Sequence, residues 1–421
     1  MIIHLLCTGT ELLIGQTLNT NLQFIGQRLA EAGYSVHRET CVGDQAGEIA
    51  AALREALATA DVVITVGGLG PTSDDLTREA VARELNAPLL FDAAVYQAIL
   101  LHLGPRASRL PAETLRRQAM VPDNAEPLIN RNGTAPGLWC HAAAGRKVVM
   151  LPGPPRELQP IFDQDVLPRL QRLAPPEIRR HQFTVCGLPE SVVADRVEDF
   201  LHHAFPQIEP AYCARLSQVD VRLTARETDA AVLADAARQA ATLFGDAVLP
   251  PQTGLAATVG ELLQRHRLRL AVAESCTGGW IAKTVTDTPG ASAWFEGALV
   301  TYANRWKEEL LGVPATLLET EGAVSEAAAD AMIRGLMSRQ HVEAGIAVTG
   351  IAGPEGGTPE KPVGLVFVAT AVHNHCQVEK FQFSGNREGI RQRTVTAALD
   401  QLRRQLLRLP TAPNHPSTAN A

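Results

Sequence analysis

The sequence predicts a mixed α/β protein in which two parallel-sheet segments flank a smaller α+β one. From residue 1 to about 170, short apolar runs alternate with helical periodicity, the pattern of a parallel sheet whose crossovers are helices. A second α/β pattern starts after residue 253. Between them, from about 175 to 250, lies a shorter α+β stretch.

In the first segment Ile2–Leu6 reads as a strand, Asn21–Ala32 as a helix and Ser35–Thr40 as a strand. Gln45–Thr59 reads as a helix, and the strand Asp61–Val66 runs into Gly67-Gly-Leu-Gly70. Loops that suit phosphates lie at the carboxyl ends of such strands. Leu151-Pro-Gly-Pro-Pro155 closes the segment with another turn before a helix. The middle stretch offers the strand Gln182–Gly187, the helix Ser191–Ala204, the strand Val219–Ala225 and the helix Asp229–Phe244. Val248-Leu-Pro-Pro-Gln-Thr-Gly254 reads as a linker. In the last segment the strand Leu268–Ala273 turns into a helix, and Gly345–Val348 is another strand. His373-Asn-His-Cys376 resembles a metal-binding spacing, yet it sits between the strand-like runs Gly364–Val372 and Val378–Phe383 and reads as a hairpin tip. The polar, Pro-rich tail Pro410–Ala421 is expected to be disordered. The expected boundaries are 1–174, 175–250 and 253–410, with a tail at 411–421.

The chain has 421 residues, 46% of them hydrophobic, enough for two or more cores. A net charge of −7 argues against a general nucleic-acid coat, because affinity for phosphate backbones is mainly Lys/Arg neutralisation. No apolar run is long enough to span a bilayer, and the N-terminus lacks a basic signal region, so a cytoplasmic protein is expected. The 7 cysteines are scattered without a C-x-x-C, so reduced thiols are expected.

Ala271-Val-Ala-Glu-Ser-Cys-Thr-Gly-Gly279 places a serine where a strand becomes a helix, near free N–H groups and the positive end of the helix. Alone, Ser275 or Thr277 would be an N-cap. Val300-Thr-Tyr-Ala-Asn-Arg-Trp-Lys307 and Thr349-Gly-Ile-Ala-Gly-Pro-Glu-Gly-Gly357 change that reading by adding a possible base and a Gly-rich turn able to face an oxyanion. No histidine stands in these segments, so the base would be Lys307, with Tyr302 as proton relay. Lysine serves as a base only if its pKa falls from ~10.4 to about 7–8, which desolvation can achieve. Trp306, Leu310 and Leu311 are candidates for that apolar wall; the plainer reading puts Lys307 on a charged face with Glu308 and Glu309. Cys276 is expected to point away from the reacting centre. Phe383–Arg393 brings Ser384, Gly385, Arg387, Arg391 and Arg393 to the start of the last helix, where a substrate phosphate could bind, unless they form a solvated basic face with Arg403, Arg404 and Arg408. In the first segment, Gly67–Glu79 combines three glycines with Asp74 and Asp75; the carboxylates could hold a divalent ion or merely cap a helix.

The blocks Ala273–Gly279, Phe295–Asn304, Leu310–Val313, Gly322–Glu326, Gly350–Pro354 and Lys361–Gly364 resemble the C-terminal domain of the CinA family, nicotinamide mononucleotide deamidases. Thr8–Asn21, Val42–Asp44, Gly67–Thr77, Asn130–Gly137 and Leu151–Glu157 resemble that family's N-terminal domain, related to the three-layer, molybdopterin-binding MogA/MoeA fold. The middle stretch is similar to the family's KH-like insert, so the resemblance spans nearly the whole chain. It implies Ser275 as nucleophile, Lys307 as base and Tyr302 beside them, attacking the carboxamide and releasing ammonia without a cofactor. Thr277, Gly278, Gly279, Asn304, Thr349, Gly350, Ala352 and Gly353, with Arg387 and Arg391, would bind the substrate. Trp306 stands where the family has a small residue.

For the N-terminal domain the resemblance implies metal-dependent ADP-ribose pyrophosphatase activity. Its candidate ligands are Glu11, Asp44, Asp74 and Asp75, with Asn21, Gly67, Gly68, Gly70 and Thr72 at the phosphate. A homodimer acting in pyridine nucleotide recycling follows from the resemblance. The rival reading is a regulatory or pterin/nucleotide-binding protein linked to competence and DNA damage. No G-x-x-G clamp occurs between 175 and 250, so RNA is not expected as a partner.

Overall fold

The computed structural model describes residues 1–175, 178–226, 230–250 and 254–410. The chain divides into two units, Met1–Arg180 and His181–Ala421.

The strands of the first unit are β1 (Ile3–Thr8), β2 (Val36–Val42), β3 (Val62–Val66), β4 (Leu89–Phe91), β5 (Met120–Pro122), β6 (Ala125–Leu128), β7 (Gly137–His141) and β8 (Lys147–Leu151). Of these, β1, β3 and β8, rich in β-branched and apolar residues, are buried on both faces, as the centre of a parallel sheet covered by helices requires, whereas β2 at the edge is largely accessible. The main sheet has the order β2-β1-β3-β8-β7-β6; its first four strands are parallel and the last two antiparallel. Successive side chains point to opposite faces. Leu5 and Ile64 thus join Ile25 and Phe162 on one side, while Leu6 and Val63 join Leu53 and Ile99 on the other, giving three layers. The expected helices appear as Thr20–Glu31 and Ala46–Thr59, and the Leu151–Pro155 turn leads into the helix Pro155–Ile161.

In the second unit, β9 (Ile178–Cys186), β10 (Glu209–Arg215), β11 (Gln218–Arg226) and β12 (Val248–Leu249) form a sheet ordered β10-β11-β9-β12 beside the helices Glu190–Ala204 and Ala230–Thr242. The linker reading is corrected at its start: Val248 and Leu249 pair antiparallel with Val185 and Thr184. A two-residue strand carries no periodicity to read. Residues 251–253 of that stretch, and the tail 411–421, lie outside the described residues.

A second sheet follows, from β13 (Leu270–Glu274), β14 (Phe295–Val300), β15 (Ala344–Gly350), β16 (Leu365–Val372) and β17 (His375–Gln382), in the order β14-β13-β15-β16-β17. β13 is parallel to both neighbours, while β15, β16 and β17 run antiparallel to one another. The helices Leu255–His266, Trp280–Thr286 and Arg387–Leu407 cover one face; Asn304–Leu311, Ala315–Thr320 and Glu326–Gln340 cover the other. The chain leaving β13 therefore turns to one face and the chain leaving β14 to the opposite face. That divergence makes their carboxyl ends a topological switch point, the usual ligand position in an open α/β sheet. The hairpin tip is borne out: Val372 pairs with His375, leaving His373 and Asn374 as the turn. All seven cysteines are free, and no helix among the described residues is long and apolar enough to cross a membrane.

Candidate active site

Ser275 begins the turn after β13. Its N–H donates to Val348 O at 3.1 Å, while Thr301 N–H donates to Glu274 O at 2.8 Å, so the turn is pinned to both neighbouring strands. Gly278 and Gly279 adopt φ +59° and +94°, the left-handed region that glycine enters without strain. Neither Ser275 nor Thr277 caps the next helix. That task falls to Glu274, fully buried, whose carboxylate accepts N–H bonds from Gly279 (2.9 Å), Ile281 (3.1 Å) and Ala282 (2.8 Å). The serine hydroxyl is left free for another partner.

Its partner is Lys307, on the helix Asn304–Leu311 and 1% exposed. Lys307 Nζ lies 3.3 Å from Ser275 Oγ, 2.9 Å from Thr301 O and 3.2 Å from Tyr302 O. Burial lowers its pKa, opposed by a weaker effect of Cys276. A neutral amine has two N–H groups and one lone pair. In that neutral form the two carbonyls would take the N–H groups, and the lone pair would face the Ser275 hydroxyl, free to accept its proton. Burial also pushes the Cys276 thiol up to about 12, too high for a nucleophilic thiolate near neutral pH.

Three expectations for this site are corrected. Trp306 and Leu310 are 44% and 37% exposed, because positions one helical turn apart share a face and theirs is the outer one; of the proposed wall only Leu311 is buried, on the face of Lys307. Tyr302 meets the lysine through its carbonyl, whereas its phenol, 60% exposed, accepts from Arg387 Nη2 at 3.2 Å. No proton relay through that hydroxyl is present. In the Gly-rich turn Ile351 N–H is not available to an oxyanion, since it donates to Leu365 O at 2.8 Å, and Gly350 is required by packing, a Cβ there coming within 2.7 Å of Val366.

Arg387 and Arg391 share a face, as their spacing predicts, and both reach the site. Arg387 Nη1 donates to Gly353 O at 2.7 Å. Arg391 donates to Cys276 O at 3.1 Å and to Thr277 O at 2.6 Å, and its guanidinium lies 5.1 Å from the Trp280 ring centre. Arg393 goes elsewhere, donating to Ser384 O. Thr349 is buried, with its hydroxyl on Ala323 O; Ala352 is buried and Asn304 exposed. The hydroxyls of Thr277 and Thr301 are buried without a hydrogen-bond partner and flank the Ser275 turn. Glu274 and the carbonyl-bound role of Arg391 escaped the sequence reading. An acidic residue a few positions before a helix is the one available signal for the first.

In the first unit, Glu11, Asp44, Asp74, Asp75 and Asn21 all follow carboxyl ends of parallel strands or the loops there. Asp44 accepts from Thr10 N–H (2.8 Å) and hydroxyl (2.9 Å); Asp75 accepts from Thr72 N–H (2.8 Å) and from its hydroxyl. Bonding to Thr72 holds the Asp74 carboxyl below its ordinary value. Among the described residues no three His, Cys, Asp or Glu side chains converge as a metal cluster would, so these carboxylates do not form a preassembled ion site. The loop glycines serve packing: Cβ atoms on Gly67, Gly68 and Gly70 would lie 2.5 Å from Thr8 O, 2.1 Å from Thr77 Oγ1 and 2.5 Å from Asp75 Oδ2. Gly67 N–H is taken by Leu151 O at 3.0 Å. Asn21 Nδ2 donates to Gly153 O at 2.6 Å and its buried Oδ1 has no partner.

Comparison with known proteins follows the same division. Residues 252–406 match the model of the CinA C-terminal domain, and residues 4–172 match a probable molybdopterin binding domain. The CinA-like protein of Desulfovibrio desulfuricans is 41% identical over 97% of this chain and 96% of its own. The CinA-like protein of Akkermansia muciniphila is 42% identical over 96% of this chain and 98% of its own. Among solved structures, the protein CinA of unknown function from Thermoplasma acidophilum is 38% identical, covering 38% of this chain and 93% of that one, with a TM-score of 0.36. Identity of this extent, running through both matched domains and through the segments that carry Ser275 and Lys307, means that the chain belongs to the CinA family.

Proposed function

We propose that the second unit hydrolyses the carboxamide of nicotinamide mononucleotide to the acid and ammonia, as a step in pyridine nucleotide recycling. The observation that carries this reading is the buried, carboxylate-free Lys307 amine 3.3 Å from Ser275 Oγ. A binding module has no use for a lysine buried beside a serine, where burial lowers its pKa. As Oγ attacks the carboxamide carbon, its proton moves to Lys307 Nζ. The ammonium so formed protonates the departing nitrogen, which leaves as ammonia and returns Nζ to the neutral state. Water then attacks the acyl-serine ester, giving its proton to Nζ; collapse returns that proton to Oγ and releases the acid. Arg387 and Arg391 hold the loops that frame this reaction and keep unused N–H groups for a phosphate. The test is ammonia release from nicotinamide mononucleotide by the purified protein, with Ser275→Ala as control; equal release by both would refute the reading.

The first unit carries a second reading, favoured by Asn21 Oδ1, a buried acceptor without a partner beside the strand ends. We propose that it binds a ribosyl nucleotide there, a ribose hydroxyl donating to Asn21 Oδ1, and hydrolyses ADP-ribose when a divalent ion is supplied. The carboxylates do not converge on an ion as they stand, so no step is derived through one. Chelation is expected to abolish ADP-ribose hydrolysis and to leave ammonia release unchanged, both read in one preparation.

A further inference from the structure

The last helix has a second face that borders a cavity. Arg393, Ala397, Asp400, Gln401 and Arg404 recur at helical spacing and line a cavity of about 780 Å³ that shares no residue with the Ser275–Lys307 pair. Its other walls include Phe381 and Phe383 and, from the β10–β11 hairpin, Arg215 and Gln218. The volume suits a small organic ligand.

Three features define the ligand's chemistry. Gln401 is 6% exposed, and its amide NH₂ spends both hydrogens on Val368 O (3.4 Å) and Gln377 O (3.1 Å). Those carbonyls fix the orientation, since a flipped amide would set oxygen against oxygen. Gln401 Oε1 is thereby left buried without a donor, a state that disfavours the empty cavity unless a partner arrives. The rings of Phe381 and Phe383 stack at 5.3 Å and 12°, an aromatic surface that a further planar ring extends. Four arginines, Arg215, Arg393, Arg404 and Arg408, face three carboxylates, Glu190, Glu379 and Asp400. Both oxygens of Asp400 are occupied, one by Arg403 and the other by Arg404, which leaves a modest positive excess.

We propose that this cavity is a second ligand site, for a mononucleotide whose base carries an exocyclic amine. The amine donates to Gln401 Oε1, the base lies against Phe381 and Phe383, and the phosphate meets Arg393 and Arg404. The site is independent of the amidase reading, which uses none of these residues. It is tested by calorimetric titration of the full chain with AMP, with IMP, which presents a carbonyl in place of the amine, and with inorganic phosphate. The AMP binding lost in Arg393→Gln is expected to amount to one site per chain, any binding that remains belonging to the first unit, where AMP is a product of the proposed ADP-ribose hydrolysis. IMP binding, and AMP binding to Arg393→Gln and to Phe383→Leu, should be at least about tenfold weaker. Arg391→Gln, altered at the other site, should bind AMP as the parent does. Arg393 is half exposed, so its variant gives a reading even if Phe383→Leu fails to fold. Absence of AMP saturation, equal binding of IMP, competition by phosphate alone, or loss of binding in Arg391→Gln instead of Arg393→Gln would each overturn the proposal.

Discussion

A lysine held 1% exposed among backbone oxygens has its ammonium form disfavoured, and both activity and stability should register this. Ammonia release needs the neutral amine, so it should climb as pH rises through the depressed pKa of Lys307, below the ordinary ~10.4. For stability the sign follows from linkage: with the folded value below the unfolded one, this group's contribution is complete above the unfolded value and is lost as pH falls through the folded one. Near neutrality Lys307 is then a liability to the fold, and Lys307→Met should raise the melting temperature while abolishing ammonia release. Lys307→Arg should not rescue activity, since a guanidinium keeps its proton near neutral pH. A melting temperature lowered by the Met variant would contradict the neutral-amine account. Ser275 and Lys307 could be read from the chain because their neighbours form a dense motif. The phenol of Tyr302 could not be placed, because a sequence names a residue without saying whether its side chain or its carbonyl turns inward.

Among the elements, the turn from β13 into Trp280–Thr286 depends on one carboxylate. Glu274→Gln keeps the shape but removes the charge that three N–H groups share, and should cost about 1–3 kcal/mol in unfolding free energy. Because the same turn sets Ser275 Oγ against Lys307, kcat should fall while KM moves little; steady-state ammonia kinetics beside denaturant melts would read both. The strands β1, β3, β13 and β15 were legible, being continuous apolar runs of the length a doubly covered strand needs. β10 was not: Glu209–Arg215 contains proline, tyrosine and exposed ends, and it pairs with β11 at the edge of its sheet. The glycines of Gly67–Gly70 were legible as a loop but not in purpose, since the clash each avoids lies with Thr8, Thr77 or Asp75.

At the scale of the molecule, all the residues of the proposed amidase site follow residue 254, yet the core around β13 includes Cys186 and Leu249, and the buried Arg403 donates to Val248 O and Asp246 O. A fragment from residue 254 should release ammonia but melt well below one from His181, because it exposes those contacts; equal melting temperatures would make the middle segment a passive neighbour. The switch point between β13 and β14 was not legible, since it depends on which face each crossover takes. It has a further consequence. Lys307 takes its two carbonyl partners from residues 301 and 302, in its own stretch of chain, whereas the serine turn is fastened by Arg391 to the last helix. The two stretches are tied by Thr301 N–H to Glu274 O at 2.8 Å and by Arg387 to the Tyr302 hydroxyl at 3.2 Å, so the 3.3 Å contact between Oγ and Nζ is set by bonds that neither reacting side chain makes. Strain that lengthens those ties should therefore weaken ammonia release before the fold is lost.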